Sequence, residues 1–302
     1  MSELLSKHGF NFQKKYGQNF LQDVKIPRRI AAECTDYTLS DEPGAKIPSL
    51  VLEIGPGAGI LTCELADRFE KVVAVEIDTT LEPVLAESLA GRENVSVVFG
   101  DIMETELAPL LEPHRLRADG SRLPVSVCAN LPYYITTPIL MKLVEEYHDF
   151  EHITVMVQKE VAARLTARPG SADYGSITAA LGLYGSVKRL FAVPAGCFFP
   201  RPKVDSAVVR LSLHRPAKYT LTQIAAASSV IKAAFSMRRK TLVNALAPST
   251  GLDKTTLAAI LADTLGEKET VRGETLTSEQ FVKLAEAISL ALDSLRAKEN
   301  IE

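Results

Sequence analysis

The sequence predicts an α/β protein, a mostly parallel, seven-stranded, doubly wound sheet followed by a small all-helical C-terminal domain. Three observations carry this expectation. Apolar runs of four to six residues alternate with helical patterns over the first half of the chain. A glycine-rich turn, Gly55-Pro56-Gly57-Ala58-Gly59, directly follows the first run. Strand signals stop after Leu213, and only helical patterns follow. Continuous apolar runs mark strands covered on both faces, and alternation with helices gives parallel neighbours joined by right-handed crossovers.

Taken in order, strands are expected at 50–54, 72–77, 95–99, 125–129 and 153–157. Helices are expected between them at 60–69, 81–90 and 138–147. Residues 112–124, with Gly120 and two prolines, read as a surface loop inserted before the fourth strand. Beyond the fifth strand, 160–165 and 176–183 look helical, and 187–193 and 206–213 look like two further strands. Helical patterns then cover 224–235, 241–246, 255–265 and 278–295. The last opens on a capping box, Thr277 with Gln280, and carries an apolar stripe of Phe281, Leu284, Ala285, Ile288, Leu292 and Leu295. The expected domain boundary lies near Arg215-Pro216, giving domains 1–215 and 216–302.

Composition is that of a soluble globular chain: 302 residues, 46% hydrophobic and 24% charged, which excludes a disordered chain. No apolar run approaches the ~18–20 residues of a membrane span. No secretory signal is visible, and the four cysteines form no CxxC pair, so a reduced cytoplasmic setting without a metal site is expected. The net charge of −3 argues against a generic nucleic-acid binder, but its distribution is uneven. From Gly185 to Thr250 there are eleven Lys/Arg against one acid; from Gly251 onward there are six against ten. Such asymmetry points to a polyanion at one face, with Arg201, Lys203, Arg238, Arg239 and Lys240 as the candidate contacts.

The glycine turn lets backbone approach a ligand closely. Glu76, twenty-one residues past Gly55, ends the second strand, where an acid can accept from ribose hydroxyls. The spacing is G-x-G-x-G rather than the dinucleotide G-x-G-x-x-G, and Glu53 stands two residues before the first glycine. A carboxylate there suits a cationic ligand better than a pyrophosphate. S-adenosyl-L-methionine carries an ammonium, a sulfonium and no phosphate. Asp101, at the end of the third strand, is positioned to bond an adenine amine.

The fourth strand ends in Asn130-Leu131-Pro132-Tyr133. The Asn130 amide oxygen and the Leu131 carbonyl can both accept from an amino group, and Tyr133 offers a face for stacking a base. An adenine N6 is a poor nucleophile because its lone pair is delocalised. Two acceptors on its N–H bonds favour rehybridisation and aim the lone pair at a methyl donor.

Several stretches carry a resemblance that runs nearly end to end: Lys15 to Leu21, EIGPGAGILT, AVEID, GDIM, ANLPYYITTPIL, VMVQKEVAARL, CFFPRPKVDSAVVRL and AFSMRRKTLVNAL. On them the chain resembles the bacterial small-subunit ribosomal RNA adenine dimethyltransferases, a family that shares its fold with the Erm resistance methylases. The resemblance implies a Rossmann-like class I methyltransferase sheet with a helical RNA-binding domain. It implies that Asn19 and Leu21 close over the methionine end of S-adenosyl-L-methionine. Gly55 and Gly57 would lie against the cofactor, with Glu76 on ribose and Asp101 on adenine. Asn130 and Leu131 would hold the target N6, while Tyr133 and Phe199 sandwich the base. It implies dimethylation of two adjacent adenosines in a hairpin near the 3′ end of 16S rRNA, within an assembling 30S subunit, by a monomer.

Three alternatives stay open at this level: an Erm-like 23S methylase, an assembly factor whose binding dominates over catalysis, and an NAD-dependent dehydrogenase. The Gly-Pro-Gly loop, free of the lysine usual in resistance methylases, disfavours the first. The intact Asn130 motif argues for retained catalysis against the second. The glycine spacing and Glu53 disfavour the third.

Overall fold

A computed structural model describes residues 2–10, 13, 18–40, 42, 44–237 and 240–299. From the N-terminus the elements are α1 (Ser2–Lys7), β1 (Phe20–Leu21), α2 (Lys25–Ala32), β2 (Ile47–Ile54), α3 (Ile60–Arg68), β3 (Phe69–Glu76), α4 (Glu82–Ser88) and β4 (Val95–Phe99). There follow α5 (Leu107–Arg115), β5 (Val125–Asn130), α6 (Thr136–Glu146), β6 (Phe150–Gln158), α7 (Lys159–Leu165), α8 (Ser176–Leu181), β7 (Gly185–Val193), β8 (Phe198–Phe199) and β9 (Ser206–Leu213). The chain ends in α9 (Leu221–Ser236), α10 (Leu242–Thr250), α11 (Lys254–Leu265) and α12 (Ser278–Glu299). Two units form: Met1–Ala162 with Val187–Leu213, and Ala163–Ser186 with His214–Glu302.

The first unit is built on a seven-stranded sheet of order β4-β3-β2-β5-β6-β9-β7. The first five strands pair in parallel, and β9 runs antiparallel to β6. Leu50, Val51 and Leu52 of β2 and Val125 and Val127 of β5 are fully buried, the double-faced burial their unbroken apolar runs encode. Strand order reverses between β2 and β5. The crossovers leave that point in opposite directions, so a crevice opens at the carboxyl ends of these two strands.

One expected loop is corrected. The structure carries α5 through Arg115, so residues 112–115 of the stretch read as loop are helical. Leu107, Leu111 and Arg115 repeat at helical spacing and are all buried. Pro109 and Pro113 hid the pattern. The Arg115 guanidinium donates through Nε to the Leu123 carbonyl (2.9 Å), and through Nη1 to Tyr147 Oη and Asp149 Oδ2 (both 2.7 Å). The insertion is thereby anchored to the ends of α6 and β6.

The second unit packs α8 to α12 around Leu242, Leu246, Leu257, Leu261, Phe281 and Leu284, all fully buried. The expected capping box is present: Gln280 N–H donates to Thr277 Oγ1 (3.2 Å) and Thr277 N–H to Gln280 Oε1 (2.9 Å). The apolar stripe of α12 reaches solvent by Leu295, which is 46% exposed. The expected boundary at 215–216 falls two residues inside the second segment of this unit, which also takes in Ala163–Ser186. That earlier segment is tied down by bonds the sequence does not display. Gly170 N–H donates to the Glu274 carbonyl (2.7 Å), Tyr174 Oη to the Leu276 carbonyl (2.8 Å) and Ser278 Oγ to the Ala179 carbonyl (2.8 Å). No described helix is long and apolar enough to cross a membrane.

The Arg115 anchor gives a test. Arg115→Leu should cost about 1–3 kcal/mol, because the carbonyl of Leu123 loses a charged donor inside the fold, while Glu112 and Asp149 reach water. Urea denaturation measures it, and unchanged stability would contradict the anchoring role.

Candidate active site

The carboxyl ends of β2, β3 and β5, the turns after them and the segment 18–21 line one cleft open to solvent. Gly55, Gly57 and Gly59 in the turn after β2 all hold positive φ (70, 58 and 83°). At Gly57 a Cβ would stand 2.6 Å from the Phe20 ring, so only glycine admits this ring against the loop. The Gly57 N–H donates to Glu76 Oε2 (3.0 Å) and the Asp78 N–H to Glu76 Oε1 (2.9 Å). Glu76, 4% exposed, therefore straps the glycine turn to the end of β3. Each of its oxygens keeps a further lone pair for a ribose hydroxyl. Burial raises its pKa, and the two backbone donors offset part of that rise.

Glu53, near the end of β2, lies in the cleft lining and is 1% exposed. Its Oε2 is buried without a hydrogen-bond partner among the described residues. Burial, with the charge of Glu76 adding to it, pushes its pKa up from 4.5 to about 8. Such a group is what an incoming ammonium would satisfy. Among the described residues lining the cleft there are two carboxylates and no cation, which suits a cationic, phosphate-free ligand and not a pyrophosphate. S-adenosyl-L-methionine fits on both counts.

The segment before α2 is tied across the cleft mouth. Gln18 Nε2 donates to Asp78 Oδ2 (2.7 Å) and Gln13 Nε2 to Asp78 Oδ1 (3.3 Å). β1 pairs antiparallel with β8, setting Phe20 opposite Phe199 and Leu21 opposite Phe198. Leu21 and Phe198 are buried, whereas Phe199 is 43% exposed, so Phe198 serves packing and Phe199 presents its ring. Asn130 ends β5, and its Nδ2 donates to the Asn19 carbonyl (3.1 Å). That bond fixes the amide so that Oδ1 is the acceptor left over, next to the Leu131 carbonyl. Tyr133 also lines the cleft and shares a hydrogen bond with Ser206 Oγ (2.8 Å), which fixes its ring.

Asn19, Leu21, Gly55, Gly57, Glu76, Asn130, Leu131 and Tyr133 thus gather around one cleft. Asp101 does not line it; its Oδ1 accepts from the Met103 N–H (2.8 Å) beyond β4. Arg201, Lys203 and Lys240 are exposed at the surface, and Arg238 and Arg239 lie outside the described residues. Sequence reasoning did not single out Phe20, Gln18 or Asp78 for the site. β1 is two residues long and shows no periodicity, and a Gln–Asp pair 60 residues apart carries no local signal.

The raised Glu53 pKa sets a pH dependence. Between about pH 4.5 and 8 the folded chain keeps a proton that the unfolded chain has released, so stability from this group is greatest at low pH and falls as pH rises toward 8. Glu53→Gln should remove that fall. In urea denaturation of the unliganded protein, the variant should gain on the parent from about pH 5 to about pH 8. Parallel profiles would contradict the buried-carboxylate assignment.

Comparison with known proteins follows the same lines. The model of the ribosomal RNA adenine dimethylase family matches residues 9–289. Ribosomal RNA small subunit methyltransferase A of Lachnoclostridium phytofermentans is 42% identical over 289 residues, covering 95% of this chain and 94% of that protein. The protein of the same name from Bacillus licheniformis is 40% identical, with the same coverage. Among solved structures, the 23S rRNA methyltransferase ErmE is 28% identical with a TM-score of 0.66, covering 89% of this chain and 99% of that one. A dimethyladenosine transferase from Plasmodium falciparum shares the fold at a TM-score of 0.69 and 24% identity, covering 88% and 95% of the two chains. With a family model spanning nearly the whole length and relatives matched over almost all of theirs, the chain belongs to the ribosomal RNA adenine dimethylase family.

Proposed function

We propose that this methyltransferase uses S-adenosyl-L-methionine to dimethylate N6 of two adjacent adenosines in a hairpin near the 3′ end of small-subunit ribosomal RNA. The observation that carries the reading is the Asn130 amide. Its nitrogen is committed to Asn19, leaving its oxygen as an acceptor on the wall of the same cleft that holds Glu53, Glu76 and the glycine turn. Relatives of about 40% identity that carry the small-subunit name favour that substrate over the 23S RNA of the more distant ErmE.

When bound, S-adenosyl-L-methionine supplies an electrophilic methyl group on a sulfonium. Glu53 would hold its ammonium, Glu76 its ribose, and Asn19, Phe20 and Leu21 would cover it. Asp101 is proposed for the adenine, through the carboxylate oxygen not occupied by Met103. Asn130 Oδ1 and the Leu131 carbonyl would accept the two N–H bonds of the target amine. That draws its lone pair out of the ring plane and toward the methyl group. Tyr133 and Phe199 would stack on the base. No general base is needed before transfer, because the proton becomes acidic only on the methylated nitrogen. Arg201, Lys203, Arg238, Arg239 and Lys240 are proposed to bind phosphates, with the chain acting as a monomer on an immature 30S particle in the cytoplasm.

Asn130→Ala should lower single-turnover methylation about 10²- to 10³-fold, the loss expected when one transition-state hydrogen bond is removed. S-adenosyl-L-methionine affinity should fall by no more than about tenfold, the worth of the missing bond to Asn19. Near-normal single-turnover rates in the folded variant would overturn the role. The substrate assignment is tested by incubating the enzyme with small- and large-subunit particles from unmethylated cells. Methyl transfer to the large subunit alone would overturn it.

A further inference from the structure

We infer that the catalytic unit carries its own phosphate-binding surface for the RNA, formed by Lys25, Arg28 and Arg29 of α2 with Arg189 of β7. The inference rests on the RNA-methyltransferase reading and adds to it a place where the sugar-phosphate backbone is held.

The three cations of α2 fall at positions i, i+3 and i+4 and share one exposed helix face, while Pro27, Ile30 and Ala31 fill the buried face. Arg29 places its guanidinium carbon 3.9 Å over the centre of the Phe191 ring. Phe191 is 7% exposed, so this stack is built into the fold and not an accident of a mobile side chain. Arg189 lies two residues before Phe191 on the same strand, hence on the same sheet face, and is exposed. A stacked guanidinium keeps its N–H groups at the rim, where they can take a phosphate in fork geometry.

The surface is not neutralised. α2 contains no acid, and among the described residues none of the four cations pairs with a carboxylate. The acids close by in sequence are accounted for otherwise. Asp23 turns Oδ1 to the Lys25 N–H (2.9 Å), and Asp36 is taken by Arg210 (2.9 Å) and His152 (3.2 Å). Glu33, one turn beyond Arg29, makes no ion pair with it. Unpaired cations of this density hold counterions, and releasing them to a polyanion favours binding.

Position matters as much as charge. Leu21, which lines the cleft, is four residues from Lys25, so their Cα atoms are at most about 14 Å apart. Through β1, the same short stretch pairs with Phe199, the ring proposed to stack on the base. A strand whose base sits in the cleft therefore runs its neighbouring phosphates within reach of α2. An acidic protein would meet the same charges, but nothing would place it next to the base pocket.

The test is the salt dependence of binding to small-subunit particles from unmethylated cells. Lys25→Gln/Arg28→Gln leaves the Phe191 stack intact; a triple variant adds Arg29→Gln. The double variant should bind more weakly. Its slope of log affinity against log salt should be shallower by up to about 1.4–1.8, the change expected when two phosphates are no longer neutralised. Its melting temperature and S-adenosyl-L-methionine affinity should be unchanged. An unchanged slope in the folded double variant, or weaker binding at an unchanged slope, overturns the inference. The parent protein supplies the second control. If it does not methylate the particle at all, the functional reading falls and this surface with it. If it does and the variant slope stays the same, only the surface falls.

Discussion

The site is organised by a buried carboxylate, one oxygen of which has no hydrogen-bond partner among the described residues. Glu53 sits near the end of a central strand, where the reversal of strand order opens a crevice, and the fold leaves its Oε2 unsatisfied. A buried charge is unfavourable, and the raised pKa is the same fact expressed in protons. The unliganded chain thus carries a local cost that a cation in the cleft relieves. Glu76 adds negative charge to the same space while tying down the glycine turn. Two acids and no cation among the described lining residues favour a positively charged ligand there over a phosphate.

The second feature is mechanical. The segment 18–21 touches both halves of the proposed site: Phe20 lies on Gly57 on the side proposed for the cofactor, and the β1–β8 pair sets Phe199, the ring proposed to stack on the base, opposite Phe20. Asn19 supplies the carbonyl that orients Asn130. The proposed cofactor cover, amine acceptor and stacking ring are therefore linked by one stretch of backbone. A loop fixed in this way can deliver near-attack geometry that separate surface loops would not hold.

Much of this is legible in sequence because the sheet is covered on both faces. Its strands read as unbroken apolar runs, and the chemistry sits at their ends: Glu53, Glu76 and Asn130 are found by counting from those runs. What is not legible depends on pairings between distant residues. β1 and β8 exist only as each other's partners. α2 and α5 carry prolines that mask short helices, Pro27 in one and Pro109 and Pro113 in the other. The attachment of residues 163–186 to the helical unit rests on Tyr174, Ala179 and Leu183 packing into its core and on hydrogen bonds such as Tyr174 to Leu276. The buried face of Phe198 and the exposed face of Phe199 differ only by their register against β1.

The charge asymmetry of the chain also takes on a physical meaning. Two acids line the cleft and acids outnumber cations from Gly251 onward, while exposed cations lie on α2, on β7 and after β8. One polyanion can then lie outside a cleft that itself favours a cation. The most direct measurement is a crystal structure with S-adenosyl-L-methionine bound. The ligand's ammonium should stand within about 2.7–3.2 Å of a Glu53 oxygen. Its ribose should lie on Glu76, and its methyl group should face Asn130 Oδ1 and the Leu131 carbonyl. A methionine end directed away from Glu53, or a methyl group turned from Asn130, would contradict the central role of the buried carboxylate.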